Sequence, residues 1–328
     1  MSLTMRRALA GLTVCLMFGS SVAAQAPQQP AQGQLLPPVS PQQLSGVPQQ
    51  QQPTAPAQAP FVPDGFALNT IQQTYLDSVL DAWQVESAKV NTFKCDFERH
   101  EFNAAFGPGQ NIPLNIDKGE LSFQKPDKGS FQITEMSTWK AEPAPPAVPG
   151  QPPAPAQGNW VKQPKEVGEH WVCDGKSVYE YRHDQEQVVE RPIPVELQGQ
   201  AIVDGPLPFL FGAESAKLKQ RYWMRVEQQS NPNEIWITAR PKAQADAANF
   251  QAVQVVLDRT QMLPKAMQVK LPDNSIHRYL FDLPNATINS PLARLQSLFQ
   301  RPRVPKGWKR VVEQVPVQQA AQPVEPPR

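Results

Sequence analysis

The chain has 328 residues, a formal net charge of +1, 40% hydrophobic residues and 37 prolines. Removing residues 1–26, which carry Arg6 and Arg7 and no acid, takes two positive charges away and leaves −1. A chain this close to neutral lacks the basic field by which proteins hold nucleic acid, and no basic amphipathic run stands out for an anionic membrane surface.

The N-terminus is short and basic through Arg7 and then apolar from Ala8 to Val22. About 15 apolar residues are too few to span a bilayer, and small residues at Val22-Ala23-Ala24 and Ala24-Gln25-Ala26 offer cleavage sites. Residues 1–26 therefore read as a secretory signal peptide, and the chain as exported, periplasmic or associated with the cell envelope. Val14 is bulky just before Cys15, which disfavours lipidation there. No other apolar run is long enough for a transmembrane segment once the signal is cleaved.

Ten prolines fall within 27–63 and eight within 143–164, with Gln and Ala between them. Such stretches bury too little apolar surface to offset ordering entropy. Residues 27–63 read as a disordered Pro/Gln linker, 141–164 as a Pro-rich loop insertion, and 313–328 as a Pro-rich tail. One folded β domain is left, over 64–312.

Asn69–Glu86 reads as a helix, with Thr70 as N-cap and Ile71, Tyr75, Leu76, Val79, Leu80 and Trp83 at helical spacing. The period then changes to two. Phe93, Cys95 and Phe97 alternate with polar neighbours, as do Leu121 with Phe123 and Phe131 with Ile133. Asp174-Gly175 lies between two β-prone runs and reads as a two-residue hairpin loop, pairing Cys173 with Lys176 and Trp171 with Val178. Val188–Ile193 is a further strand, and Leu207–Phe211, with Pro206 and Pro208 around it, a short helix or turn across the sheet. Later strands follow over 222–228, 234–240, 253–259, 263–271 and 276–281, then a short helix at Leu292, Leu295 and Leu298. The sum is one helix, about 9–11 meandering antiparallel strands and little helix elsewhere, with no alternating βαβ rhythm, and such a sheet must curl, split or be covered.

The chemistry-bearing residues are sparse. His170 and Cys173 fall on opposite faces of one strand, so they cannot share a metal. No nucleophile elbow, phosphate loop or dinucleotide fingerprint occurs, so no catalytic residue, cofactor or metal site is assigned. Asp96, Glu98 and Glu101 read as solvated strand faces. Cys95 and Cys173 remain after signal cleavage and are candidates for a disulfide in an oxidising compartment.

The order of these pieces carries a resemblance. An amphipathic helix is followed by VNTFKCDFE (90–98), GELSFQKP (119–126), DGKSVYEY (174–181), Pro206–Leu210 and long late strands. Over about residues 67–310 this resembles the LolA-like periplasmic lipoprotein carriers, and the Pro/Gln spacers are similar to those of a secreted, planctomycete-type branch of such domains. The resemblance implies an incomplete antiparallel β-barrel with helices across its mouth as a lid. It implies a non-catalytic carrier or sensor whose cavity holds acyl chains of lipids or lipoproteins. Phe93, Phe97, Leu121, Phe123, Phe131, Ile133, Met267 and Val269 are the residues expected to line that cavity. The Pro-rich arms and the 141–164 insertion lie outside a minimal carrier and suggest an envelope-protein partner. The alternative is a structural or protein-interaction module that keeps the fold without the ligand. No arginine of this sequence is matched to the family's lid-closing arginine.

Overall fold

The computed structural model describes residues 62–313, apart from 104, 106, 110, 143–156, 165–167, 200–207, 212–213 and 291–298. The signal segment, most of the Pro/Gln linker, most of the Pro-rich insertion, the helix expected at Leu292–Leu298 and the tail lie outside the described residues.

Helix α1 (Thr70–Ala88) is capped by Asn69 rather than Thr70. The Asn69 side chain accepts from the Gln72 N–H at 2.9 Å, and the Gln72 side chain accepts from the Asn69 N–H at 3.0 Å, a reciprocal capping box. The helix buries Leu76, Val79, Leu80 and Trp83. Ile71 and Tyr75 were expected on that face but are 81% and 43% exposed.

Strands follow in chain order: β1 (Thr92–Phe102), β2 (Asn115–Gln124), β3 (Lys128–Ala141), β4 (Gly158–Lys162), β5 (His170–Asp174), β6 (Ser177–Arg182) and β7 (Gln187–Pro192). Short helices α2 (Pro208–Phe211) and α3 (Ser215–Arg221) then lead to β8 (Tyr222–Glu227) and β9 (Glu234–Pro241). After α4 (Gln244–Ala247) come β10 (Ala252–Asp258), β11 (Pro264–Lys270), β12 (Ile276–Phe281), β13 (Thr287–Ile288) and β14 (Lys309–Val312). All belong to one 14-stranded sheet, whose main order is β14-β7-β6-β5-β3-β2-β1-β12-β11-β10-β9-β8. β14 and β8 are its ends, so the sheet is an open barrel rather than a closed one.

Three strands exceed the sequence expectation. β4 lies inside the Pro-rich 141–164 segment, where Trp160 packs edge-on to Trp139 at 4.5 Å. β13 and β14 are too short to show alternation. β14 pairs parallel with β7, and Trp308 before it stands edge-on to His183 at 5.1 Å. Its Arg310 and the neighbouring Arg301 both reach Glu190 on β7.

The Asp174-Gly175 hairpin forms in a shifted register: Cys173 pairs with Val178 and Trp171 with Glu180. Asp174 Oδ1 accepts from the N–H groups of both Lys176 and Ser177 at 2.8 Å. That Asx-type bonding moves the loop one residue on, so Gly175, at φ +88°, becomes its first central residue. Lys176 therefore does not stand opposite Cys173.

Candidate functional site

The inward face of the sheet is set by strand parity. On β1, Phe93, Cys95 and Phe97 point inward, opposite Phe123, Leu121 and Gly119 of β2. Leu121 in turn stands opposite Phe131, and Phe131 opposite Trp171. On the other side of β1, Tyr279 pairs with Met267 and His277 with Val269. All eight residues expected to line a cavity, namely Phe93, Phe97, Leu121, Phe123, Phe131, Ile133, Met267 and Val269, are 1–8% exposed and belong to one apolar cluster.

That interior is filled by aromatic rings. Trp171 stacks on Phe131 at 5.8 Å, Phe131 on Phe97 at 4.9 Å, and Phe97 meets Tyr279 at 6.0 Å. Gly119 makes room for this row: a Cβ there would stand 2.5 Å from the Phe97 ring and 2.4 Å from the Gln132 carbonyl oxygen.

Helix α1 closes the apolar part from above, joined by Phe209 and Leu218. Its polar ties are few. Ser215 donates from its hydroxyl to Asp81 at 2.8 Å and from its N–H to Gln84 at 2.7 Å, and Lys219 meets Asp77 at 2.8 Å. At its C-terminal end, Lys125 donates to the Ser87 and Ala88 carbonyls, and Asn289 donates to that of Lys89.

Further along the same inward parity the wall turns polar. Arg99 donates from Nε and Nη2 to a single oxygen of Asp117, Oδ2, at 3.0 and 2.8 Å. It also meets Glu169 at 2.9 Å and Glu101 at 3.0 Å. Asp117 Oδ1 is buried without a hydrogen-bond partner. Burial pushes the Asp117 carboxyl up to about 6 against the pull of Arg99, and raises Glu169 likewise. Burial holds His277, beside Glu101, down to about 4. Glu101 is thus an inward residue rather than part of a solvated face. Arg99's carboxylate partners lie on β1, β2 and the segment before β5.

The sequence reading missed this cluster, although its signal was present. Arg99 and Glu101 continue the odd-numbered parity of Phe93, Cys95 and Phe97, and Asp117 that of Leu121 and Phe123. A charge on an inward parity has to find a buried partner.

The two cysteines do not form a disulfide. Both are buried free thiols, with Cys95 Sγ donating to the Asp96 carbonyl and Cys173 Sγ to the Asp127 carbonyl at 3.1 Å each. β2 and β3 lie between their strands. Three strand spacings of about 4.8 Å exceed by far the roughly 7 Å Cα separation a disulfide tolerates. Burial pushes Cys95 up to about 12 and Cys173 to about 11, so both are protonated and poor nucleophiles at neutral pH.

An open antiparallel barrel whose apolar wall is covered by helices, rather than by a second sheet, defines the class of this protein. Residues 160–300 match the family model described as outer membrane lipoprotein carrier protein LolA. No curated protein matches the sequence. Among solved structures, the chain is similar to an uncharacterized conserved protein from Thermus thermophilus, at 11% identity and a TM-score of 0.38, covering 73% of this chain and 99% of that one. It is similar to a putative outer membrane lipoprotein-sorting protein domain from Vibrio parahaemolyticus, at 9% identity, TM-score 0.28 and coverage of 66% and 94%. A LolA superfamily protein from Nitrosomonas europaea is 6% identical, with a TM-score of 0.29 and coverage of 68% and 97%. No helix among the described residues is long and apolar enough to cross a membrane.

Proposed function

We propose that this is an exported, non-catalytic envelope protein that binds acyl chains of lipids or lipoproteins against the apolar wall beneath α1, as a carrier or sensor. The observation that carries this reading is the cover. One continuous apolar cluster is roofed mainly by α1, with four buried apolar side chains and a few partly exposed polar ties, beside Phe209 and Leu218 of the short helices. Burying those four side chains contributes roughly 6–12 kcal/mol. An acyl chain of about 15 methylenes offers about 12 kcal/mol at ~0.8 kcal/mol each. An acyl chain can therefore compete with α1 for the same wall, and binding consists of lifting the helix. The protonated cysteines fit a protein that breaks no bond. The signal segment 1–26, the domain limits 64–312 and the Pro-rich arms belong to this proposal as export signal, binding body and tethers.

Native mass spectrometry of the protein purified from the envelope tests it. Co-purified lipid, displaced by a fluorescent fatty acid, is the expected result; absence of both overturns the reading. A second reading is favoured by the stacked row from Trp171 to Tyr279, which fills the interior with side chains. On that reading the domain is a structural or interaction module, and an envelope partner is captured only while residues 27–63 or 313–328 are present.

A further inference from the structure

We propose that the cluster around Arg99 is a proton-binding site inside the half-barrel, which takes up one proton in mildly acid surroundings and thereby tightens the β2–β1–β12 end of the interior. The inference goes beyond acyl binding and stands whether or not a lipid enters.

Its basis is a charge imbalance fixed by geometry. One guanidinium serves three carboxylates, those of Asp117, Glu169 and Glu101, at 2.8, 2.9 and 3.0 Å. The groups facing the cluster come from every element around it. β1 supplies Arg99 and Glu101, β2 supplies Asp117, and the segment before β5 supplies Glu169. β12 supplies His277, 3.7 Å from Glu101, and Tyr279, which stands opposite Arg99 in register. Farther out, Glu180 on β6 faces Glu169 but is held by Arg191 at 2.6 Å, and Asp273 faces His277. With every carboxylate ionised and His277 neutral, the cluster carries one positive and three negative charges.

A second observation points to the missing ligand. Both Arg99 bonds to Asp117 end on Oδ2, which leaves Oδ1 buried and unbonded on a side chain that is 0% exposed. An unpaired carboxylate oxygen in such a place carries a desolvation penalty, and a proton is the smallest ligand that removes the charge and turns an acceptor into a donor. A metal ion would need several oxygens converging on open space, whereas a proton needs none. Glu101 and Glu169 reach the surface at 20% and 14% side-chain exposure, so protons have a route to the interior.

The upward displacement of Asp117 to about 6 and of Glu169 by burial places the uptake on the acid side of neutrality. The proton belongs to the coupled cluster rather than to one oxygen. Because Asp117 binds its proton more tightly folded than unfolded, its contribution to stability grows as pH falls from about 6 towards the unfolded value near 4. His170 and His277 act in the opposite sense. Burial holds both down to about 4, so the unfolded chain takes up their protons first as pH falls below about 6.5, and stability drops. The two effects mix in the whole protein, and only a difference between variants isolates the carboxyl.

The test is denaturant unfolding of the full chain and of Asp117→Asn, from about pH 7.5 to about pH 4.5. Asn keeps the shape and cannot titrate. The ratio of the two unfolding constants is expected to change by roughly 10- to 100-fold across that window, with the wild type gaining on the variant as pH falls. If Asp117→Asn does not fold, Glu169→Gln takes its place. The infrared band of a protonated carboxyl group in the native wild-type protein supplies a reading that needs no variant. Parallel stability curves, or no protonated carboxyl at about pH 5, overturn the proposal.

Discussion

Replacing Leu80 by Ala distinguishes a lid from an ordinary core helix. Leu80 is fully buried between α1 and the sheet, and its truncation costs about 2–5 kcal/mol. The partly exposed polar ties to α3 add only about 0–1 kcal/mol each, so most of the closing energy resides in Leu76, Val79, Leu80 and Trp83. When a helix and an acyl chain compete for one wall, apparent affinity scales with the fraction of molecules already open. Losing about 2 kcal/mol of closing energy raises that fraction roughly 30-fold, at tenfold per 1.4 kcal/mol. Leu80→Ala is therefore expected to lower stability and tighten acyl binding together. Titration with a fluorescent fatty acid, run beside chemical denaturation well below the unfolding midpoint, reads both quantities. Ile71→Ala on the same helix, at a position 81% exposed, serves as the control and should change neither. Weaker or unchanged binding by a destabilised Leu80→Ala protein would refute the competition between helix and lipid.

Arg99→Met leaves three carboxylates around an apolar side chain, and denaturant unfolding should register a loss of about 3–5 kcal/mol that added salt does not abolish. A loss below about 1 kcal/mol would place the cluster in water instead. Gly119→Ala pushes a methyl group against the Phe97 ring and the Gln132 carbonyl, at 2.5 and 2.4 Å, and should cost about 1–3 kcal/mol in the same assay. Cys95 and Cys173 should resist a thiol reagent in the native protein and react fully on unfolding without reductant. A need for reductant would contradict two separate thiols.

The parity of apolar residues made most of the sheet legible. Phe93, Phe97, Leu121, Phe123, Phe131 and Ile133 all point where period-two alternation puts them, and they share one cluster with Met267 and Val269. Helical spacing located α1, but spacing counts every apolar residue on a face alike. It could not tell that Ile71 and Tyr75 stay exposed while Leu76 and Trp83 are buried. The hairpin at Asp174 was visible from Asp-Gly, yet the side chain of Asp174 moved the register by bonding two backbone N–H groups. β13 and β14 are fixed by partners far away in sequence, and two- and four-residue strands carry no pattern of their own. The Arg99 cluster escaped for a different reason. Charges on an inward parity look like errors in a pattern until the register brings Asp117, Glu169 and His277 around one guanidinium.

The pairing of β1 with β12 also sets an order of assembly. β1 to β7 and β8 to β12 are two runs in which nearly every strand pairs with a close neighbour in the chain. One seam joins them, stitched at its end by Asn289 bonding Asn91 across 198 positions. Loop closure over such a distance is slow compared with forming local hairpins. Each run can zip on its own, but the apolar wall is continuous only after the seam closes. Until then, Phe97 and Tyr279, which meet across it, belong to two unfinished half-surfaces, and the interior exists only once the seam is closed.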